Sequence, residues 1–128
     1  MRGAKPTLVI SNDAVTKAPA PPSWLSLEAK KEWRRVMPPL VKRRILTTAD
    51  LGGLENYCTA QGRVRELERL IQATADPEAL PSLLRMQDKA MQTARQLSAE
   101  LGLTPVSRSR PAIREDGDDD QLNPLDIS

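Results

Sequence analysis

An all-α fold is predicted by three features of the sequence: two long stretches of helical apolar period, boundary residues of the right chemistry at their ends, and a shorter amphipathic stretch ahead of them. The expected architecture is a short N-terminal helix docked on a long antiparallel helical hairpin, with a disordered arm and tail. Thr47 and Asp50 carry the S/T-x-x-D/E spacing of a capping box, which places a helix start near Thr48. Leu51, Leu54, Cys58, Val64, Leu67, Leu70 and Ile71 then recur at steps near three and four, and Arg63, Arg65, Glu66, Glu68 and Arg69 occupy the other face. The period is weakest at Gln61 and Gly62. Ala75, Asp76 and Pro77 interrupt it, and Pro81 suits the first turn of a second helix, where its missing N–H has no intrahelical acceptor to lose. Leu83, Met86, Ala90, Ala94, Leu97 and Leu101 form the second stripe, flanked by Leu84 and Met91. Gly102 is the expected left-handed residue closing it, with Pro105 beyond.

Ahead of the hairpin, Ser26 is a candidate N-cap and Glu28 sits in the favourable first turn of a helix. Leu25, Ala29, Trp33, Val36 and Met37 can share its inner face, with Trp24 and Trp33 as anchors onto the hairpin. Pro38 and Pro39 are expected to stop or kink it. Gly52 and Gly53, costly in a helix interior, are expected to permit close approach of a neighbouring backbone, including one from another subunit. These signals divide the chain into a basic proline-rich arm (1–23), the first helix and basic turn (24–45), the hairpin core (46–104), and a connector with an acidic tail (105–128).

Composition narrows the chemistry. There is no histidine and a single cysteine, Cys58, so the usual general base and the ordinary zinc and haem ligand sets are missing. None of the six glycines falls into a phosphate-cradling loop. Asp118-Asp119-Asp120 lacks calcium-loop spacing. The expectation is a protein without catalytic residues, metal or cofactor. No apolar run approaches the ~18 residues of a membrane span and no signal peptide opens the chain, so an intracellular protein is expected.

The net charge of +2 conceals a gradient: residues 1–45 carry ten Lys or Arg against three acids, and residues 115–128 carry six acids and no base. Such a balance suits two partners, one of them polyanionic. The candidate DNA contacts are Arg2 and Lys5 in the arm and Lys30, Lys31, Arg34, Arg35, Lys42, Arg43 and Arg44 along the first helix and its turn. Arg2-Gly3-Ala4-Lys5-Pro6 resembles an AT-hook, with Ala4 in place of the second arginine. A solubilising arm and a solvated helix face remain open for the same residues. The tail's Asp118, Asp119, Asp120, Leu122 and Leu125 suit a disordered peptide that orders in a partner's groove.

Taken together, Arg2-Gly3-Ala4-Lys5-Pro6, Pro21-Pro22-Ser23-Trp24-Leu25, Glu32 beside Trp33, Leu46-Thr47-Thr48-Ala49-Asp50-Leu51, Tyr57-Cys58 and Ala99-Glu100-Leu101-Gly102-Leu103-Thr104-Pro105-Val106-Ser107-Arg108 resemble, in order and spacing, the small subunit of a bacteriophage terminase. The resemblance spans residues 2 to about 110. It implies a non-enzymatic helical protein of the host bacterial cytoplasm that forms a homo-oligomeric ring and binds double-stranded viral DNA. It also implies delivery of that DNA to the large subunit, which holds the ATPase and nuclease. Leu51, Leu54, Leu67, Ile71, Leu83, Met86, Leu97 and Leu101 are then the expected core and oligomerisation residues. The tail lies outside the matched pieces, and its contact with the large subunit is an independent inference.

Two other readings are open. A helix-turn-helix transcriptional regulator would use the helix after Thr47 for recognition, although Asp50, Gly52, Gly53 and Glu55 are a poor set for reading base edges. A pure assembly scaffold would keep the hairpin and make the basic front incidental.

Overall fold

The computed structural model describes residues 14–104, and these contain three α-helices: α1 Leu27–Arg43, α2 Leu51–Ala73 and α3 Leu80–Glu100. A single 3-10 turn, Thr48–Asp50, leads into α2. Polar caps mark the boundaries. Ser26 Oγ accepts the Ala29 N–H at 3.2 Å, and the Asp50 carboxylate accepts both the Thr47 N–H at 2.9 Å and the Thr47 hydroxyl at 3.0 Å. At the far end Leu103 N–H donates to Ser98 O at 2.8 Å and Gly102 N–H to Ala99 O at 3.2 Å, with Gly102 at φ 76°. That pair of bonds is a Schellman ending, and it requires the positive φ that glycine adopts without strain.

Pro38 and Pro39 do not stop α1, which continues to Arg43 and closes on Arg44 in the left-handed region. Losing two amide donors costs the helix on the order of 3 kcal/mol or more. The turn beyond them buries Leu40 completely and Val41 in part, so burial offsets that cost. Arg34 and Arg35, whose carbonyls lose their donors, are exposed, leaving water to satisfy them.

Of the two tryptophans only Trp33 is an anchor. It is 2% exposed, and its indole N–H donates to Pro19 O at 2.8 Å, whereas Trp24 is 60% exposed because Leu25 takes the inward place beside it. The Trp33 bond also fastens the preceding chain. Ala14 pairs with Thr47 in an antiparallel bridge and Val15 N–H donates to Leu46 O at 2.7 Å. The described part of the expected arm, residues 14–23, is therefore docked, because it supplies partners for polar groups that the core would otherwise bury unsatisfied.

The core is not the hairpin by itself. It lies where α1 crosses the first half of α2 and the end of α3, around Leu25, Ala29, Trp33, Val36, Met37, Leu40, Leu46, Leu54, Tyr57, Cys58, Ala60 and Ala94. Beyond Gly62 no residue of α2 is buried, and α3 contributes only Gln87 and Ala94. Of the eight expected core leucines, isoleucine and methionine, Leu54 is fully buried and Leu51, Leu67, Ile71, Leu83, Leu97 and Leu101 are half-buried. Met86 is 50% exposed, so within the single chain it is not a core residue. The reason is geometric: two helices can bury only the stripe between them, and α1 does not extend over the distal half of the hairpin.

Within the chain, the close backbone approach is at Gly62, not at Gly52 or Gly53. A Cβ on Gly62 would lie 2.8 Å from the Ala29 backbone nitrogen, whereas one on Gly52 meets nothing within 4 Å and one on Gly53 only the Leu101 Cδ2 at 3.8 Å. Gly62→Ala is therefore expected to destabilise the protein by about 1–3 kcal/mol despite its better helix propensity, since the atom in the way is backbone. Gly52→Ala should stabilise it by up to about 1 kcal/mol. Urea midpoints measured at one protein concentration check both signs, and equal midpoints for the two variants would show that α1 and α2 do not cross at this contact.

Candidate nucleic-acid interface

Because α1 turns its apolar stripe inward and its caps hold its ends, its charged residues fall on two different surfaces. Arg34, Lys42, Arg43 and Arg44 are exposed and have no ion-pair partner among the described residues. Lys30 is half-buried and likewise unpaired. Lys42 and Arg43 occupy the last turn of α1 and Arg44 caps it, an arrangement the helix dipole favours. Arg43 also borders, with Arg35, Tyr57 and Ser98, a small cleft of about 250 Å³ between α1 and the end of α3. Arg2 and Lys5, and the tail residues Asp118, Asp119, Asp120, Leu122 and Leu125, lie outside the described residues.

Lys31 and Arg35 belong to a second surface that sequence reasoning did not find. Glu28 and Glu32, a helical turn apart on α1, are buried against α2, with side chains 5% and 0% exposed. Glu32 accepts two hydrogen bonds from Arg35, at 3.0 Å from Nε and 2.5 Å from Nη2, one from the Tyr57 hydroxyl at 2.5 Å and one from Arg65 Nη2 at 2.6 Å. Glu28 accepts from Lys31 Nζ at 3.4 Å and from Arg69 Nη2. The partners run in opposite order along the two helices, Glu28 to Arg69 and Glu32 to Arg65, which makes a ladder across the crossing that Ala29 and Gly62 permit. Sequence reasoning assigned Arg65 and Arg69 to the solvent face. The readable signal was the shared spacing, two carboxylates four residues apart on α1 matched by two guanidiniums four apart on α2.

The electrostatics follow from burial and pairing. Desolvation pushes the Glu32 carboxyl upward, but hydrogen bonds from Arg35, Tyr57 and Arg65 prevail and hold it down to about 2, from 4.5. Glu28 is lowered chiefly by Arg69. Burial raises the Tyr57 hydroxyl, and the Glu32 charge raises it further. It also lifts the Cys58 thiol to about 12, which leaves that residue a small apolar side chain rather than a nucleophile. On α3 the buried Gln87 amide donates to Val64 O at 3.2 Å and Glu68 Oε1 at 2.8 Å, tying the hairpin together past the core.

A groove of about 530 Å³ opens on the hairpin between α2 and α3, lined by Ala60, Leu67, Leu70, Met86 and Ala90 and rimmed by Arg63, Glu66 and Lys89. Among the described residues no cluster of His, Cys, Asp and Glu has the makings of a metal site, and no helix is long and apolar enough to cross a membrane.

Glu32→Gln should cost about 2–4 kcal/mol by leaving two guanidiniums and the Tyr57 hydroxyl without their charged acceptor. Because the folded carboxyl titrates below its ordinary value, its stabilisation is present above pH 4.5 and is lost as pH falls toward 2. Thermal melts across that range should accordingly fall less steeply with acid in Glu32→Gln than in the parent protein. Parallel pH profiles would remove Glu32 from the account.

The family model of the phage terminase small subunit matches residues 29–118, from the crossing residue Ala29 on α1 to beyond the described end of the chain. No curated protein and no solved structure matches. The matched span takes in most of α1, all of α2 and α3 and every member of the ladder except Glu28, though not the Arg2–Pro6 motif. The chain belongs to the phage terminase small-subunit family, which is not catalytic.

Proposed function

We propose that this protein binds double-stranded viral DNA, assembles with copies of itself into a ring and presents the DNA to the terminase large subunit for genome packaging in the host bacterial cytoplasm. The observation that carries the DNA-binding part is the set of exposed cations on α1, Arg34 in mid-helix and Lys42, Arg43 and Arg44 at its end, which have no ion-pair partner among the described residues. Cations tied up locally by acids would have little left for a polyanion, but these pair with no acid among the described residues. They neutralise phosphates, release counterions and so bind DNA with little dependence on sequence. Arg2 and Lys5 add contacts from the arm, and Lys30 flanks the same helix. Asp50 in the turn before α2 and Gly52, Gly53 and Glu55 in its first turns offer neither arginine nor amide for base-edge readout.

Assembly is supported by the thin distal core. Leu70, 54% exposed, and Met86, 50%, line the groove between α2 and α3, while Leu84, 43%, and Met91, 41%, share another face of α3; a single copy leaves both apolar surfaces in water, and neighbouring hairpins would cover them. Half-buried Leu67, Ile71 and Leu83 would be sealed by the same contact. The acidic tail, with Asp118, Asp119, Asp120, Leu122 and Leu125, is the proposed contact with the large subunit.

Replacing Arg34, Lys42, Arg43 and Arg44 together with alanine should weaken binding to duplex DNA by roughly 10³-fold at low salt and reduce the slope of log affinity against log salt by about 3–4. Fluorescence anisotropy over a salt series reads both. Undiminished binding would remove α1 from the interface.

Leu70→Asp or Met86→Asp, at exposed positions where the fold should tolerate a charge, should lower the mass measured by light scattering from a multiple of 14.2 kDa toward the single chain. A parent protein that is monomeric at all salt concentrations would dismiss the ring.

A further inference from the structure

We infer that the ladder across the α1–α2 crossing is a preassembled seat for DNA backbone phosphates, with Lys31 and Arg35 on α1 and Arg65 and Arg69 on α2 as its contacts and Glu28 and Glu32 as positioning residues. This rests on the DNA-binding reading and extends it to two α2 arginines that the basic run of α1 does not include. The charge count is the first support. Two carboxylates face four cations, a surplus of two positive charges where holding the helices together needs no more than two partners. Exposure is the second. The carboxylates are 5% and 0% exposed, whereas the side chains of Lys31, Arg35, Arg65 and Arg69 are 58%, 64%, 34% and 63% exposed, so the acids lie behind and the cations in front.

Donor arithmetic points the same way. A guanidinium has five N–H donors, and Arg65 and Arg69 each reach the ladder through Nη2 alone, which leaves the remaining edge of each for bidentate contact with a phosphate. Their anchoring also lowers the entropic cost of binding, because the side chains are already ordered. On each helix the two cations are four residues apart, a rise of about 6 Å, so that neighbouring phosphates of one strand can be met in register. Of the two acids between Arg65 and Arg69, Glu66 borders the groove between α2 and α3, and Glu68 is engaged by Gln87 and Gln72, which hold its two oxygens at 2.8 Å and 2.7 Å. The seat is continuous through Arg35 with the cleft that Arg43 borders, so DNA following the unpaired cations of α1 would be led across to α2.

The test compares Arg69→Ala and Lys31→Ala with Arg85→Ala, a charge-matched control on the exposed face of α3, in the full chain with a mixed-sequence duplex over a salt series. Each ladder variant should lose about tenfold in affinity at low salt and about one unit of salt slope, and the control less than about twofold. Lys31 makes only a local surface pair with Glu28, three residues away on the same helix, whose loss the fold should tolerate, so its variant keeps the test valid should Arg69→Ala unfold. A folded ladder variant that binds like the control overturns the seat while leaving DNA binding through α1 intact. A parent protein with no salt-dependent binding overturns both, and does so before any variant is compared.

Discussion

Burial of the Glu32 carboxylate is the constraint from which the arrangement of α1 and α2 follows. A charge with no exposure to water is tolerable only when every acceptor site is used, and here two arginines and a tyrosine use them. Those partners come from both helices, so the bond network sets their rotation about one another as well as their separation. The separation is possible because Ala29 meets Gly62, where even one methyl group would strike backbone. Apolar burial of Trp33, Met37 and Leu40 supplies the larger share of the driving force, but it does not choose among rotations as strictly as a charged ladder does.

The same arrangement explains why the molecule presents two kinds of surface. Where α1 covers α2, apolar groups are buried and the ion ladder closes the edge, leaving cations outward. Where α1 ends, the two hairpin helices have only each other, and Leu70, Leu84, Met86 and Met91 remain in water. A cation-rich surface and an exposed apolar surface thus accompany the unequal lengths of a 17-residue α1 and the 23- and 21-residue helices beneath it. Gln87 marks the transition, replacing apolar contact with hydrogen bonds to Val64 and Glu68.

Local chemistry made much of the fold legible. Ser26, the Thr47–Asp50 pair and Gly102 act within three or four residues of themselves, so the sequence around them contains everything that decides their role. The prolines were misleading for the complementary reason. Their local effect is to end a helix, and only the burial of Leu40 by distant parts of the chain outweighs it. The outward cations of α1 were legible from period alone, but which of them are tied down was not, because the acids holding Lys31 and Arg35 became buried through contact with α2.

Sequence by itself determined the helices, their caps, the absence of catalytic chemistry and the terminase small-subunit character, all properties of residue type and short spacing. Tertiary structure alone decided that Glu28 and Glu32 meet arginines 41 and 33 residues away, that Gly62 is the crossing point, and that Met86 and Leu70 stay exposed. Helical period tells which residues share a face. It does not tell which face another helix will cover or where that cover stops, because those depend on how the whole chain reconciles packing with the cost of buried charge.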